Sequence, residues 1–229
     1  MVFKPSSKDN FIWLLTALVA LQFFNSLFSQ LGLRGANILV NISMTVMVLM
    51  SVWSLQEVRT RWFGLKFVVA LLVVILMVVD SSIKSNWLAP FQLITMFAFV
   101  SITIYLAWQQ VMFTGEITRN TIFGSICIYI LIGLLFGFAY LMVESIFPGS
   151  LVGLDGENWQ ENLQVTIYYS MVTLTTLGYG DITPAGQVTR FLAYTEAMVG
   201  VFYTTILVAS LIGLRLSGYR PSDPEKPEL

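Results

Sequence analysis

Six stretches of this 229-residue chain are long and apolar enough to cross a bilayer, and that pattern leaves few folds open. They run approximately Phe11–Phe28, Ile38–Leu55, Trp62–Val79, Trp87–Trp108, Ile122–Phe147 and Phe191–Leu216. Roughly 20 apolar residues span the hydrocarbon as a helix. In lipid a helix also satisfies its own backbone groups, which an open sheet cannot do. Charged residues are 11% of the chain, against about 25% in soluble domains. The first stretch has no small-x-small cleavage site and is followed by further spans, so it reads as a retained helix, not a signal peptide.

Lysine and arginine set the expected orientation, because they concentrate on the cytoplasmic side. With an even number of spans both termini share one side. That side holds nine of the twelve: Lys4, Lys8, Arg59, Arg61, Lys66, Arg119, Arg215, Arg220 and Lys226. Arg34, Lys84 and Arg190 lie opposite, so both termini are predicted cytoplasmic. The outer side also carries Asp80, Glu144, Asp155, Glu157, Glu161 and Asp181. These acids either bias local cation concentration or are simply solvated. Lys66 and Lys84 lie near span ends, where lysine can snorkel to the interface.

The chain divides near Thr114–Thr121. We expect a four-helix domain over 1–120, a second unit over 121–216 and a short polar tail over 217–229. Residues 148–190 make a long connection between the fifth and sixth spans. It opens on the turn cluster Pro148-Gly149-Ser150. Asn162–Thr175 then reads as a helix too short to span, and re-entrant backbone of this kind is tolerated only where it lines protein or water. Its partly negative C-terminal end would favour a cation. The Thr175-Thr176-Leu177-Gly178-Tyr179-Gly180-Asp181 string follows. A bare cation needs a row of oxygens, and an extended backbone supplies one if its carbonyls turn to one side. Gly178 and Gly180 tolerate the positive φ this demands, and Thr176 adds a hydroxyl oxygen.

With its short preceding helix and flanking spans, this string resembles the selectivity filter of potassium channels, over about Thr121–Leu216. The resemblance implies an all-α membrane protein with six transmembrane helices, a re-entrant pore helix and filter between the fifth and sixth, and a homotetrameric pore. It implies K⁺ held by Thr176, Leu177, Gly178 and Tyr179, with Gly180 closing the outer mouth, as carbonyls replace the ion's hydration shell. Leu177 stands where valine or isoleucine is usual. Tyr168 and Tyr169 occupy the positions of the family's aromatic pair, and Tyr168 is the expected donor to Asp181. Val172 occupies a position where some bacterial members carry a glutamate, so that brace is missing. Gly200 has the spacing of the inner-helix hinge, with close helix packing as the competing use. Val201, Thr204, Val208 and Ile212 share its face by helical periodicity and would line the cavity. Gly133 and Gly137 form G-x-x-x-G, a packing seam.

Glu196 is an acid well inside an apolar span, an expensive placement that usually faces protein or water. It is expected to support the filter by bonding the pore helix from behind, through Thr173 or Tyr169; a protonatable gate is the alternative. The fourth span carries no lysine or arginine, so intrinsic voltage dependence is not expected. The overall reading is a K⁺-selective channel most like bacterial six-helix members, in the inner membrane, with K⁺ as permeant ligand and no organic cofactor. Its expected partners are other copies, membrane lipid and an unidentified regulator, without nucleic acid. A K⁺ transporter subunit and a non-conducting regulatory subunit are the alternatives. No enzyme is indicated, since no nucleophile–base pair, metal cluster or phosphate loop is visible. Histidine is absent, and Cys127, the single cysteine, forms no intrachain disulfide.

Overall fold

The computed structural model describes residues 10–30, 36–54, 61–83, 88–112, 118–156 and 159–217. They form seven helices: α1 (Asn10–Gln30), α2 (Ala36–Ser54), α3 (Arg61–Ile83), α4 (Ala89–Met112), α5 (Arg119–Ile146), α6 (Trp159–Leu174) and α7 (Gln187–Ser217). Among the described residues, Ala89–Val111, Arg119–Ile146 and Gln187–Ser210 are long and apolar enough to cross a membrane, and Phe11–Leu27 and Gly64–Val79 are shorter apolar helical stretches. Among the described residues the strand structure is a two-residue antiparallel ladder. In it β1 (Leu151–Val152) pairs with β2 (Thr183–Pro184).

Helix ends follow local chemistry. Thr118 caps α5, its hydroxyl accepting from the Thr121 amide at 3.2 Å. Such a cap satisfies an amide that the helix itself leaves orphaned. α7 begins four residues before the apolar run does, and its first turn holds polar Thr189, whose hydroxyl lies within hydrogen-bonding distance of Gly186 O and Ser150 O and donates to one of them. Hydropathy does not see that first turn.

α4 and α5 pack along each other, and α1 lies against α5. Phe11, Leu14 and Leu18 of α1, Phe99 of α4 and Leu131 and Phe138 of α5 are buried in one core, which Leu163 and Ile167 of α6 also enter. The start of α1 is tied to α5 twice. Asn120 Oδ1 accepts from the Phe11 amide at 3.1 Å, and Cys127 Sγ reaches Phe11 O at 3.5 Å.

Lys66 does not snorkel. It is fully buried, donating to Ser51 O at 3.0 Å and Ser51 Oγ at 2.9 Å, with its ammonium 5.5 Å from the Phe99 ring centre. Ser51 Oγ lies 3.4 Å from Thr103 Oγ1. Two oxygens and a ring face surround the amino group, so it is held between α2 and α4 instead of reaching the interface. Lys66→Met is expected to leave thermal stability in detergent unchanged or raised, since it removes a desolvated charge at similar volume. Ser51→Ala strips one acceptor from that ammonium and is expected to cost about 1–3 kcal/mol. Unfolding followed by tryptophan fluorescence compares the two.

Candidate functional site

α6 runs from Trp159 to Leu174, three residues earlier at its start and one shorter at its end than the sequence suggests. The early end has a cause. Thr176 N donates to Thr173 O at 2.9 Å and Leu177 N to Val172 O at 2.9 Å. These are the two bonds of a Schellman closure, in which the residue just past the helix takes a left-handed backbone. Thr176 is that residue, with φ +58°. Glycine is usual there, and a β-branched residue at positive φ is an outlier.

Gly178 (φ +58°) and Gly180 (φ +79°) are also left-handed, whereas Leu177 and Tyr179 between them are not. Left-handed residues therefore alternate at 176, 178 and 180. Alternation of this kind turns successive carbonyls to one side of an extended chain. Leu177 and Tyr179 are exposed at 55% and 67% in the single chain, and nothing lies within 4 Å of where a Cβ would sit on Gly178 or Gly180.

The segment is anchored at both ends. Beyond it Tyr168 Oη donates to Asp181 Oδ2 at 2.7 Å. Ile182 is buried with Leu151, Tyr169 and Tyr140. Ala185 N and Gly186 N both donate to Ser150 O, at 2.9 and 3.1 Å. Glu144 holds the turn that presents Ser150, accepting from Gly149 N at 2.6 Å and Leu151 N at 2.9 Å. Glu144 is therefore structural. Glu144→Ala leaves two amides without their carboxylate and is expected to lower stability by about 1–3 kcal/mol, read from the thermal midpoint.

At the α6 end the Leu174 carbonyl accepts from Tyr129 Oη at 3.1 Å. The same carbonyl lies on Gly200. A methyl group there would collide with Leu174 O and stand 2.9 Å from its carbon. α7 runs unbroken through the position. The sequence favours a hinge at Gly200; the structure supplies a packing contact with the end of α6. Gly133 and Gly137 serve the same helix. A Cβ on Gly133 would meet Met171 Cε at 2.7 Å, and one on Gly137 would meet Ile167 Cα at 3.2 Å.

Glu196 is fully buried behind α6, with partners other than those expected. Tyr140 Oη donates to its Oε2 at 2.7 Å, and Ser170 Oγ is hydrogen-bonded to its Oε1. Ser170 Oγ also reaches Gly133 O at 2.6 Å. Thr173 and Tyr169 are not the direct ligands, although Tyr169 packs edge-on against Tyr140 with ring centres 4.9 Å apart. Ser170 and Tyr140 were missed because they lie 26 and 56 residues away along the chain.

Val201, Thr204 and Val208 lie on the exposed side of α7; the side chain of Ile212 is outside the described residues. Thr204 Oγ1 is turned back to Gly200 O at 3.0 Å.

The Tyr168 hydroxyl holds the Asp181 carboxyl below its ordinary range. A depressed folded value means the pair contributes above the unfolded pKa and fades only as pH falls through the folded one. With an ordinary aspartate near 3.9, its contribution is expected to be flat above about pH 5. Acid titration of the thermal midpoint in wild type and Tyr168→Phe checks this: the two curves should converge only at the acid end.

Residues 128–214 match a family model described as Ion channel. Protein LctB of Geobacillus stearothermophilus is 26% identical over 147 residues, 62% of this chain and 93% of that protein. Two-pore potassium channel 3 of Arabidopsis thaliana is 33% identical over 69 residues, 26% of this chain and 16% of the plant protein. Two pore potassium channel c of Oryza sativa subsp. japonica is 30% identical over 82 residues, 34% of this chain and 18% of that one. The chain thus spans most of LctB but less than a fifth of either plant relative. No solved structure matches.

Proposed function

We propose, since the chain belongs to the potassium channel family, that four copies assemble into a membrane pore passing K⁺ passively down its gradient. The observation that carries this is the alternation of left-handed backbone at Thr176, Gly178 and Gly180. It suits a column of carbonyls from Thr176, Leu177, Gly178 and Tyr179, with the Thr176 hydroxyl at the inner end and Gly180 at the mouth. One such strand per chain lines a quarter of a pore, and four strands make the stacked oxygen cages that replace K⁺ hydration. The bare edge of the strand is consistent with this. So is α7, which exposes Phe191, Tyr194, Met198, Phe202 and Ile206. In a tetramer those apolar side chains meet neighbouring subunits or lipid, and Val201, Thr204, Val208 and Ile212 face the cavity.

The same reading makes α1 to α5 and α7 six spans, with both termini cytoplasmic. α1, α2 and α3 have 21, 19 and 23 residues. At 1.5 Å per residue they reach about 28–35 Å, the thickness of a hydrocarbon core. Residues 1–120 are then a peripheral domain, 121–216 the pore and 217–229 a tail. α4 carries no lysine or arginine, and Lys66 is a single held charge, which supports a channel without intrinsic voltage gating. Purified protein in planar bilayers under opposed K⁺ and Na⁺ gradients tests the proposal. A reversal potential at the K⁺ equilibrium value is expected; one near zero overturns selectivity.

A further inference from the structure

Ser170 poses a problem of proton counting. Its hydroxyl has one proton, yet its oxygen is in hydrogen-bonding contact with two acceptors, Gly133 O at 2.6 Å and Glu196 Oε1. A backbone carbonyl has no proton to give. If Ser170 donates to Gly133, the proton between Ser170 and Glu196 must come from the carboxyl. The other carboxyl oxygen, Oε2, already accepts from Tyr140 Oη at 2.7 Å. A carboxylic acid meets both demands, since it accepts through one oxygen and donates through the other. A carboxylate leaves two acceptors competing for one proton.

We infer that Glu196 is a neutral carboxylic acid that joins three helices in a directed relay, and that its deprotonation releases the pore helix. The relay runs from Tyr140 Oη–H on α5 to Glu196 Oε2 on α7, from Glu196 Oε1–H to Ser170 Oγ on α6, and from Ser170 Oγ–H back to Gly133 O on α5. Gly133 leaves the space beside this carbonyl to α6: a Cβ there would stand 2.7 Å from Met171 Cε, and that side chain would have to shift. The titratable groups that face Glu196 are Tyr140 and Tyr129 from α5 and Tyr169 from α6. All are neutral phenols at pH 7, and among the described residues no basic side chain reaches the carboxyl. Nothing there compensates a negative charge. When the proton leaves to water, Ser170 gives up Gly133 or Glu196, and the helix that carries the filter loses one of the two bonds made through Ser170.

The regulatory consequence rests on the pore reading above; the protonation state does not. Infrared difference spectra of wild type and Glu196→Gln in membranes read the acid directly. A carboxylic acid C=O band is expected at pH 7, missing from the variant and fading as pH rises. Glutamine preserves the relay, accepting from Tyr140 through its oxygen and donating to Ser170 through its amide, and it cannot titrate. In liposomes wild-type K⁺ flux is expected to fall about tenfold between roughly pH 6 and pH 10, as the lost buried bond predicts. Glu196→Gln is expected to stay flat, and Ser170→Ala to be low throughout. A missing acid band at pH 7, or a Glu196→Gln flux that falls with pH as wild type does, overturns the inference. Should the protein carry no K⁺ at all, the pore reading fails and the band alone decides this one.

Discussion

Gly200→Ala is expected to abolish K⁺-selective conduction and to destabilise the protein. A hinge reading and a packing reading of this glycine predict opposite outcomes. If Gly200 only supplies flexibility, alanine stiffens α7, adds about 1 kcal/mol of helix propensity, and alters opening while leaving the filter intact. The structure argues for packing. The added methyl would collide with the Leu174 carbonyl oxygen, and its side chain would follow at 3.3 Å. The obstacle is backbone, so no rotamer change relieves it. Overpacking of this kind costs about 1–3 kcal/mol, occasionally more, and a tetramer would bear it four times. Leu174 is the last residue of α6, two before Thr176. A shift there is passed directly to the left-handed turn at Thr176, the proposed inner end of the filter. Thermal unfolding and the K⁺/Na⁺ reversal potential of Gly200→Ala separate the readings. A stable variant with wild-type selectivity and altered open probability would restore the hinge.

Much of this molecule is legible in its sequence, and the limits fall where contact partners are remote. The apolar runs mark helices because a segment in lipid has few alternatives. Tyr168 and Asp181 are 13 residues apart, on either side of one short turn, so local chain geometry brings them together. Other features depend on what lies opposite. Lys66 near a span end reads as a snorkelling residue until Ser51 and Phe99 are placed around it. Glu144 in an outer loop reads as one more solvated acid until Gly149 and Leu151 turn their amides toward it. Glu196 announces itself as costly, but Ser170 and Tyr140 are fixed by the approach of three helices. That approach is set by the small residues at 133, 137 and 200. Glycine spacing was visible in the sequence; which backbone would fill each gap was not.

Thr176 carries the second large expectation, because two demands meet on one residue. As the Schellman residue of α6 it must be left-handed, where glycine costs nothing and an L-residue about 1–2 kcal/mol. As the inner end of the filter it is proposed to offer K⁺ both a carbonyl and a hydroxyl. Thr176→Gly is therefore expected to raise stability by about 1 kcal/mol per subunit while weakening K⁺ selectivity. Thr176→Val keeps the β-branched strain and removes only the hydroxyl. It is expected to leave stability near wild type and to lose selectivity in the same way. The pair separates backbone from ligand chemistry, since stability should follow the φ penalty and selectivity the hydroxyl. Thermal midpoints and bilayer reversal potentials of both variants read the two quantities independently. A Thr176→Gly protein that is less stable than wild type would mean that the threonine side chain, not the closure of α6, holds this turn. A Thr176→Val channel with unchanged K⁺ selectivity would remove the hydroxyl from the ion path. Strain retained at one threonine, where glycine would relieve it, is the cost expected of a residue kept for its oxygen.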